Sequence, residues 1–191
     1  MSAAKQIVLG VTGSIAAYKA AELIRLMVCR GWEVQVILTE AAQKFVGELT
    51  FRSLSRHPVL TGMFDNPDAW QPEHIAVAER ADVLVVAPCT ARTIARLAQG
   101  LADDLLGCTY LAVRAPVVIA PAMNERMWTH AATQANLAVL RARGVHVVMP
   151  DEGDLACGTV GLGRLAEPEV IVEAVTQALT ASEISERSPS S

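Results

Sequence analysis

Five short apolar segments alternate with segments of helical periodicity along most of the chain, and this alternation restricts the possible folds most strongly. Predicted strands, the fourth together with its exit loop, occupy residues 5–11, 33–39, 81–88, 115–124 and 145–150. Predicted helices, some of them broken, occupy residues 14–31, 40–55, 90–114, 125–144 and 167–180. Strands that alternate with helices form a parallel sheet covered by helices. We therefore predict an α/β fold, a three-layer αβα sandwich around a Rossmann-like (flavodoxin-like) parallel sheet.

The composition fits one domain with a fully buried sheet. Hydrophobic residues make up 52% of the 191 residues and aromatic residues 4%, so Ala, Val, Leu and Ile build the core. We expect one domain over residues 1–181 and a disordered polar tail over residues 182–191. A loop-rich segment (56–74) and a Gly-rich loop (151–164) are predicted between the regular elements.

The first predicted helix has clear boundary signals and an apolar stripe. Ser14 is predicted as its N-cap and Gly31 as the residue that ends it. The stripe recurs at helical spacing and predicts the buried face; it contains Ile15, Tyr18, Ala21, Ile24 and Val28.

Charge, hydropathy and cysteine spacing argue against several classes of function. The formal net charge is -4 and no basic patch is present, which argues against nucleic acid as a partner. No apolar run reaches the ~18 residues that a membrane span needs. The four cysteines form no CxxC pair and show no metal-ligand spacing, so we expect no metal site and a reducing, cytoplasmic setting.

The residues that follow the predicted strands point to a mononucleotide. In a parallel sheet, ligands bind at the carboxyl ends of the strands, and Thr12-Gly13-Ser14 there precedes a helix and favours an anion. A plain N-cap is the alternative, but Thr90 and Thr93 begin another helix on a neighbouring strand and can share one phosphate. Thr39, and no acidic residue, follows the second strand, which favours FMN over NAD.

Three further residues are candidates for chemistry, and each also has a structural interpretation. His74 can transfer protons near neutral pH, or it is a surface histidine. Cys157 lies among glycines, where a mobile flap could carry its thiol over a substrate, or the segment is an ordinary surface loop. Asn124 can bind a carboxylate, or it caps the following helix.

Four motifs, taken together, resemble the flavin-containing cysteine decarboxylase family and, within it, the enzymes that act on phosphopantothenoylcysteine in coenzyme A synthesis. They occur in the family's order over roughly residues 6–175 and read GVTGSIAAYKA, HIAVAERADVLVVAPCTARTIARLAQGLADDLL, PAMNERMW and ACGTVGLGRLAEP. Arg92 departs from this pattern, because the family often has a small or polar residue at that position. No synthetase domain, which in many bacteria follows this domain, occurs in the sequence, so we expect a stand-alone enzyme or an excised domain.

The resemblance implies an FMN site and a catalytic set. The residues implied to hold FMN are Gly13, Ser14, Ile15, Thr39, Phe45, Thr90, Ala91 and Thr93. His74 matches the family's active-site histidine, and Cys157 matches the flap cysteine that donates a proton in the reductive half of the reaction. Asn124 matches the asparagine that binds the substrate carboxylate, with Met127 nearby. The family also implies a homotrimer with active sites at subunit contacts, often assembled into a homododecamer.

The implied activity is decarboxylation of 4'-phospho-N-pantothenoylcysteine to 4'-phosphopantetheine through thioaldehyde and enethiol intermediates. Two alternatives remain open at this point. The chain can instead be a peptidyl-cysteine decarboxylase that converts the C-terminal cysteine of a ribosomal peptide to an enethiol. It can also be a non-catalytic flavin-binding regulatory subunit, although the presence of all three candidate catalytic residues argues against that.

Overall fold

A five-stranded parallel sheet forms the centre of the molecule in the computed structural model. The structure describes residues 4–63, 71–154, 158 and 160–187, and of residues 185–187 it describes the backbone alone. The strands are β1 (Gln6–Val11), β2 (Glu33–Leu38), β3 (Val83–Cys89), β4 (Val117–Pro121) and β5 (His146–Val147). Their order, β2-β1-β3-β4-β5, is that of the flavodoxin-like doubly wound fold. The predicted fold class is therefore confirmed.

Nine helices in the described part of the chain surround the sheet. They are α1 (Lys19–Cys29), α2 (Glu40–Gln43), α3 (Glu48–Ser55), α4 (Glu73–Arg80), α5 (Ala91–Gln99), α6 (Leu105–Ala112), α7 (Glu125–Thr129), α8 (Ala131–Ala142) and α9 (Pro168–Arg187). None of them is long and apolar enough to cross a membrane.

Two separate apolar cores hold the three layers together, because alternate residues of a strand face opposite sides of the sheet. On β1, Ile7 and Leu9 join the core formed with α1, α3 and α9, whereas Val8 joins the core formed with α5, α6 and α8. The central strand β3 is buried along its whole length. The two-residue alternation of the apolar strands thus decides which helices each side chain meets.

The first helix differs from the prediction, and the difference moves its buried face. Residues Ile15–Tyr18 form a 3₁₀ turn before α1, with Ser14 as N-cap as predicted, and α1 ends at Cys29, two residues before Gly31. A 3₁₀ turn has three residues per turn, so the α-helical phase does not continue through it. Ile15 and Tyr18 are consequently 58% and 61% exposed, whereas Ile24 is buried as predicted.

Three further segments differ from the predicted boundaries. The helix predicted over 125–144 is two helices, because His130 has extended backbone angles and caps α8 through Nδ1. The fifth strand has two residues. Helix α9 extends to Arg187, so residues 182–187 are helical and the prediction of a disordered tail beginning at residue 182 is wrong for them. The rest of that tail lies outside the described residues.

The segment predicted as a Gly-rich loop (151–164) contains a two-stranded antiparallel hairpin. Strand β6 (Asp151–Asp154) pairs with β7 (Val160–Arg164), with Gly153 opposite Gly161. Neither strand has the alternating apolar pattern that predicts strands from local sequence. The prediction of an irregular loop is therefore wrong for the two arms of the hairpin.

Candidate functional site

An open cleft of about 1120 Å³ lies along the carboxyl ends of the parallel strands. Its walls come from the residues that follow β1, β2, β3 and β4, together with residues 61–63, residues 103–106 at the start of α6, and the hairpin with Leu165. The exits of β1 and β3 are neighbours at the point where the strand order reverses direction, and a crevice opens there in this type of sheet. The cleft is thus where the topology places a ligand.

Thr12 joins the two central strand exits. Its side chain is buried, and Oγ1 donates a hydrogen bond of 2.7 Å to the carbonyl oxygen of Pro88. The same oxygen accepts a bond of 3.2 Å from the backbone N–H of Thr90. These two bonds fix the position of the Gly13-Ser14 turn relative to the start of α5. The sequence points to the Thr12-Gly13-Ser14 turn, but it does not predict this bridging role of Thr12, because the two partners lie 76 and 78 residues away.

Three helix starts with hydroxyl caps face the cleft. The side-chain oxygens of Ser14, Thr39 and Thr90 accept bonds from the backbone N–H groups of the first turns that they begin, at 3.3, 3.4 and 3.3 Å respectively. The hydroxyls of Thr90 and Thr93 lie 3.0 Å apart. Free N–H groups at helix starts carry partial positive charge and bind anions. This part of the cleft is therefore suited to a phosphate.

Gly13 is required by the close approach of two strand exits. A Cβ atom at residue 13 would lie 2.5 Å from Cβ of Ala41 in α2, closer than two carbon atoms can approach. Thr39 holds the same two exits together, because both its backbone N–H and its hydroxyl donate to the carbonyl oxygen of Val11, each at 3.1 Å. Packing alone thus requires glycine at residue 13, apart from its predicted role in binding.

The exit of β4 contributes Asn124 and Met127. Asn124 is the N-cap of α7, and its Oδ1 accepts a bond of 2.9 Å from the backbone N–H of Arg126. Both Asn124 and the half-exposed Met127 line the cleft. Asn124 therefore caps α7 and also lines the cleft.

The hairpin is anchored to this exit by close backbone packing. The backbone N–H of Met123 donates a bond of 2.9 Å to the carbonyl oxygen of Gly163. A Cβ at residue 163 would lie 2.2 Å from the carbonyl oxygen of Met123, and one at residue 161 would lie 2.6 Å from Oε2 of Glu125. These two glycines serve close packing, which differs from the mobility predicted for the Gly-rich segment.

Charged side chains line the cleft, and most of its cations are paired. Arg96 pairs with Asp103 and, at 3.1 Å, with Asp104. At the base of the hairpin, Lys19 lies 3.2 Å from a carboxylate oxygen of Glu167, and Arg164 pairs with the other oxygen of the same group.

The structure brings most of the predicted site residues together and leaves two outside the cleft. The cleft is lined by Gly13, Ser14, Ile15, Thr39, Thr90, Ala91, Thr93, Asn124 and Met127. Phe45 follows the short helix α2 and is 49% exposed, and it is not among the lining residues. His74 lies half-buried in the first turn of α4 and is also not among them. Cys157 lies outside the described residues.

Two thiols close to the site are held in their neutral form. Cys89 ends β3 and is completely buried, which raises the pKa of its thiol well above the usual range. Partial burial, with a smaller effect from Asp104, raises the pKa of Cys108, whose Sγ donates to the carbonyl oxygen of Ala102. Neither thiol is poised as a nucleophile. Among the described residues, no group of three or more His, Cys, Asp or Glu side chains could hold a metal ion.

Comparison with known proteins gives a family and several relatives. The profile of the family described as Flavoprotein matches residues 1–180. The coenzyme A biosynthesis bifunctional protein CoaBC of Bacillus subtilis (strain 168) is 49% identical over 169 residues, which are 88% of this chain and 42% of that protein. The chain therefore spans less than half the length of this relative.

Several solved structures match the chain over nearly their whole length, among them the following two. A mutant of PPC decarboxylase complexed with pantothenoylaminoethenethiol has a TM-score of 0.84 and 31% identity, covering 92% of this chain and 98% of that one. The FMN-dependent cysteine decarboxylase SpaF has a TM-score of 0.83 and 30% identity, covering 94% of this chain and 97% of that one.

Proposed function

This chain belongs to the flavoprotein family, and on that premise we propose that it is an FMN-dependent cysteine decarboxylase, a carboxy-lyase. The proposed reaction converts 4'-phospho-N-pantothenoylcysteine to 4'-phosphopantetheine and CO₂ in coenzyme A biosynthesis. One observation carries the proposal: a single cleft joins the hydroxyl-capped helix starts at the exits of β1 and β3 to Asn124 and Met127 at the exit of β4. The similarity to CoaBC and to PPC decarboxylase supports the choice of substrate.

The residues of the cleft fit FMN. The cleft has a volume of about 1120 Å³, which exceeds what a mononucleotide needs and leaves space for a second ligand. The helix starts capped by Ser14 and Thr90, with the hydroxyl of Thr93, would hold the phosphate, and Ile15 presents an exposed apolar side chain to the cleft. When bound, FMN would supply reversible hydride transfer at the substrate carbon that carries sulfur.

Each protein residue then has a separate task. We assign Asn124 to the substrate carboxylate, because its N-cap bond fixes the side chain at the edge of the cleft and an amide N–H can donate to an anion. Met127 offers an apolar contact beside it. Cys157 is assigned as the proton donor that completes the reductive half of the reaction, an assignment that rests on the ACGTVGLGR motif.

We propose that His74 acts in the cleft of a second copy of the chain. It matches the active-site histidine of the family, yet it does not line the cleft of its own chain. A homotrimer, or a homododecamer built from trimers, with active sites at the subunit contacts would bring the two together. A cytoplasmic location and the absence of nucleic-acid and membrane partners complete the proposal.

The first experiment measures cofactor and product. Purified protein should carry FMN, released by heat and identified by chromatography, and should release CO₂ from phosphopantothenoylcysteine. His74→Ala should keep FMN and the oligomer and lose decarboxylation. Asn124→Asp should lose substrate binding, because two carboxylates would then face each other. Protein that binds no FMN, or a folded His74→Ala variant with normal CO₂ release, would contradict these assignments.

A peptidyl-cysteine decarboxylase is the second candidate, because the chain is also similar to SpaF, which is described as an FMN-dependent cysteine decarboxylase without a named substrate. Cys157→Ser separates the two. With phosphopantothenoylcysteine, the variant should release an enethiol that is lighter than the wild-type product by two hydrogen atoms, since a hydroxyl is a far weaker acid than a thiol. With a Cys-ending peptide, a peptide decarboxylase makes the enethiol as wild type, and the substitution should not change the product mass.

One mass spectrum of each protein with each substrate decides between these outcomes. Wild-type protein that yields the enethiol from a peptide, and no 4'-phosphopantetheine from phosphopantothenoylcysteine, would exclude the first candidate. Protein that binds FMN and decarboxylates neither substrate would favour a non-catalytic flavin-binding subunit.

A further inference from the structure

Arg92 is a cation in an electrostatically unfavourable position. It lies in the first turn of α5, two residues after the N-cap Thr90, and no acidic residue occurs in that turn. The start of a helix carries partial positive charge, so a cation there is destabilising unless an anion is close. Residues that break such a local rule without compensation are frequent at binding sites.

No protein group described in the structure compensates the charge of Arg92. Its side chain is exposed and has no hydrogen-bond or ion-pair partner among the described residues. Arg96, one turn further along α5, lines the same cleft and is paired with two aspartates. Of these two arginines on one helix, Arg92 is therefore the one whose donors are not engaged by the described residues and can bind a group outside the chain.

The position of Arg92 limits what that partner can be. Side chains of a helix lean toward its N-terminus, and Arg92 lines the same cleft as Thr90 and Thr93 at the start of α5. The exit of β3 lies between the exit of β1, with Ser14, and the exit of β4, with Asn124. A guanidinium has a planar set of donors that matches two oxygens of a phosphate.

We propose that Arg92 binds a phosphate monoester in the cleft and thereby selects phosphorylated ligands. The inference rests on the proposed function, which offers two such groups: the phosphate of FMN and the 4'-phosphate of the substrate. A dianion at this point compensates both the charge of Arg92 and the partial charge of the helix start. Arg92 is thus a specificity-determining residue in the cleft, and it is a residue at which this chain departs from the family pattern.

The test compares Arg92→Gln with Arg126→Gln in two assays. Arg126 is the matched control, because it is also an exposed arginine two residues after an N-cap, in α7, and does not line the cleft. The first assay titrates flavin-free protein with FMN and with riboflavin and follows flavin fluorescence. The second measures KM of the FMN-loaded protein for phosphopantothenoylcysteine and for pantothenoylcysteine.

Arg92→Gln should either lower the affinity for FMN or raise KM for phosphopantothenoylcysteine by about ten- to hundredfold, the range for a charge-assisted hydrogen bond. The value for the matching ligand without phosphate, riboflavin or pantothenoylcysteine, should not change. Loss of FMN affinity identifies the cofactor phosphate, and a raised KM identifies the substrate phosphate. Arg92→Lys should lose less, because it keeps the charge. The flavin-free Arg92→Gln protein should unfold at the same temperature as wild type or higher, whereas a structural role for Arg92 would lower that temperature.

The inference would be overturned if Arg92→Gln changed the affinities for FMN and riboflavin equally and the KM values for the two substrates equally. Equal effects of Arg92→Gln and Arg126→Gln on these quantities would overturn it as well. Wild-type protein that binds FMN and decarboxylates its substrate while Arg92→Gln behaves identically refutes the role of Arg92 alone. Wild-type protein that binds neither FMN nor the phosphorylated substrate contradicts the proposed function and this inference together.

Discussion

Replacing Thr12 with valine should separate the two strand exits that frame the cleft. Valine has a similar volume, so the substitution removes the hydroxyl without opening a cavity. Two bonds disappear, the 2.7 Å bond donated to Pro88 and the 3.2 Å bond accepted from Thr90. The carbonyl of Pro88 is buried and loses this donor, whereas the N–H of Thr90 lies in a partly exposed residue. The buried carbonyl costs about 1–3 kcal/mol and the partly exposed N–H, which water can reach, about 1 kcal/mol, so we expect the free energy of unfolding to fall by about 2–4 kcal/mol.

Thr109→Val is the control for this prediction. Thr109 is equally buried, but its hydroxyl donates within its own helix, to the carbonyl oxygen of Leu105 at 2.8 Å. Such a bond contributes little to helix stability, so the free energy of unfolding of the control should fall by less than about 1 kcal/mol.

Denaturant unfolding of the flavin-free proteins at one fixed protein concentration gives the free energies of unfolding without ligand or assembly effects. Thr12→Val should also bind FMN more weakly, because the starts of the 3₁₀ turn and of α5 are no longer fixed to each other. If Thr12→Val loses no more stability than Thr109→Val at an unchanged m-value, the bonds of Thr12 do not hold the strand exits together.

Two further predictions concern the hairpin and the thiols. Gly163→Ala should detach the hairpin from the exit of β4, since its Cβ would lie 2.2 Å from the carbonyl oxygen of Met123 and its φ is 146°, which glycine tolerates best. Hydrogen exchange should then rise at Met123 and across β7, and unchanged protection would contradict this packing argument. Iodoacetamide should modify the exposed Cys29 faster than Cys108, whose pKa is raised by burial, and should spare Cys89 until the protein unfolds; peptide mass spectrometry gives the three rates.

The parallel sheet and the location of the cleft could be predicted from sequence because both follow from local patterns and topology. Apolar runs and helical spacing identify the strands and helices, and right-handed crossovers then place every strand exit at one edge of the sheet. The same reasoning predicts the cleft residues that directly follow a strand or its exit loop, namely Ser14, Thr39, Thr90 and Asn124.

Features that depend on distant partners could not be predicted in this way. The partners of Thr12 and the pairing of Lys19 with Glu167, 148 residues apart, appear only when the chain is folded. The exposure of Ile15 and Tyr18 was missed for a different reason, because nothing in the local sequence distinguishes a 3₁₀ turn from the first turn of an α-helix.

The glycines of the hairpin show how one residue type supports opposite predictions. From sequence, glycines near Cys157 suggest a mobile flap, because glycine lowers the cost of backbone motion. In the folded chain, Gly161 and Gly163 allow β7 to pack directly against Glu125 and Met123: a Cβ at residue 163 would collide with backbone, and one at residue 161 would force the Glu125 carboxylate to move. The arm β7 is therefore tied to the exit that carries Asn124. A movement that brings the hairpin over a substrate must either carry this exit with it or break the bond between Met123 and Gly163, at a net cost of about 1 kcal/mol.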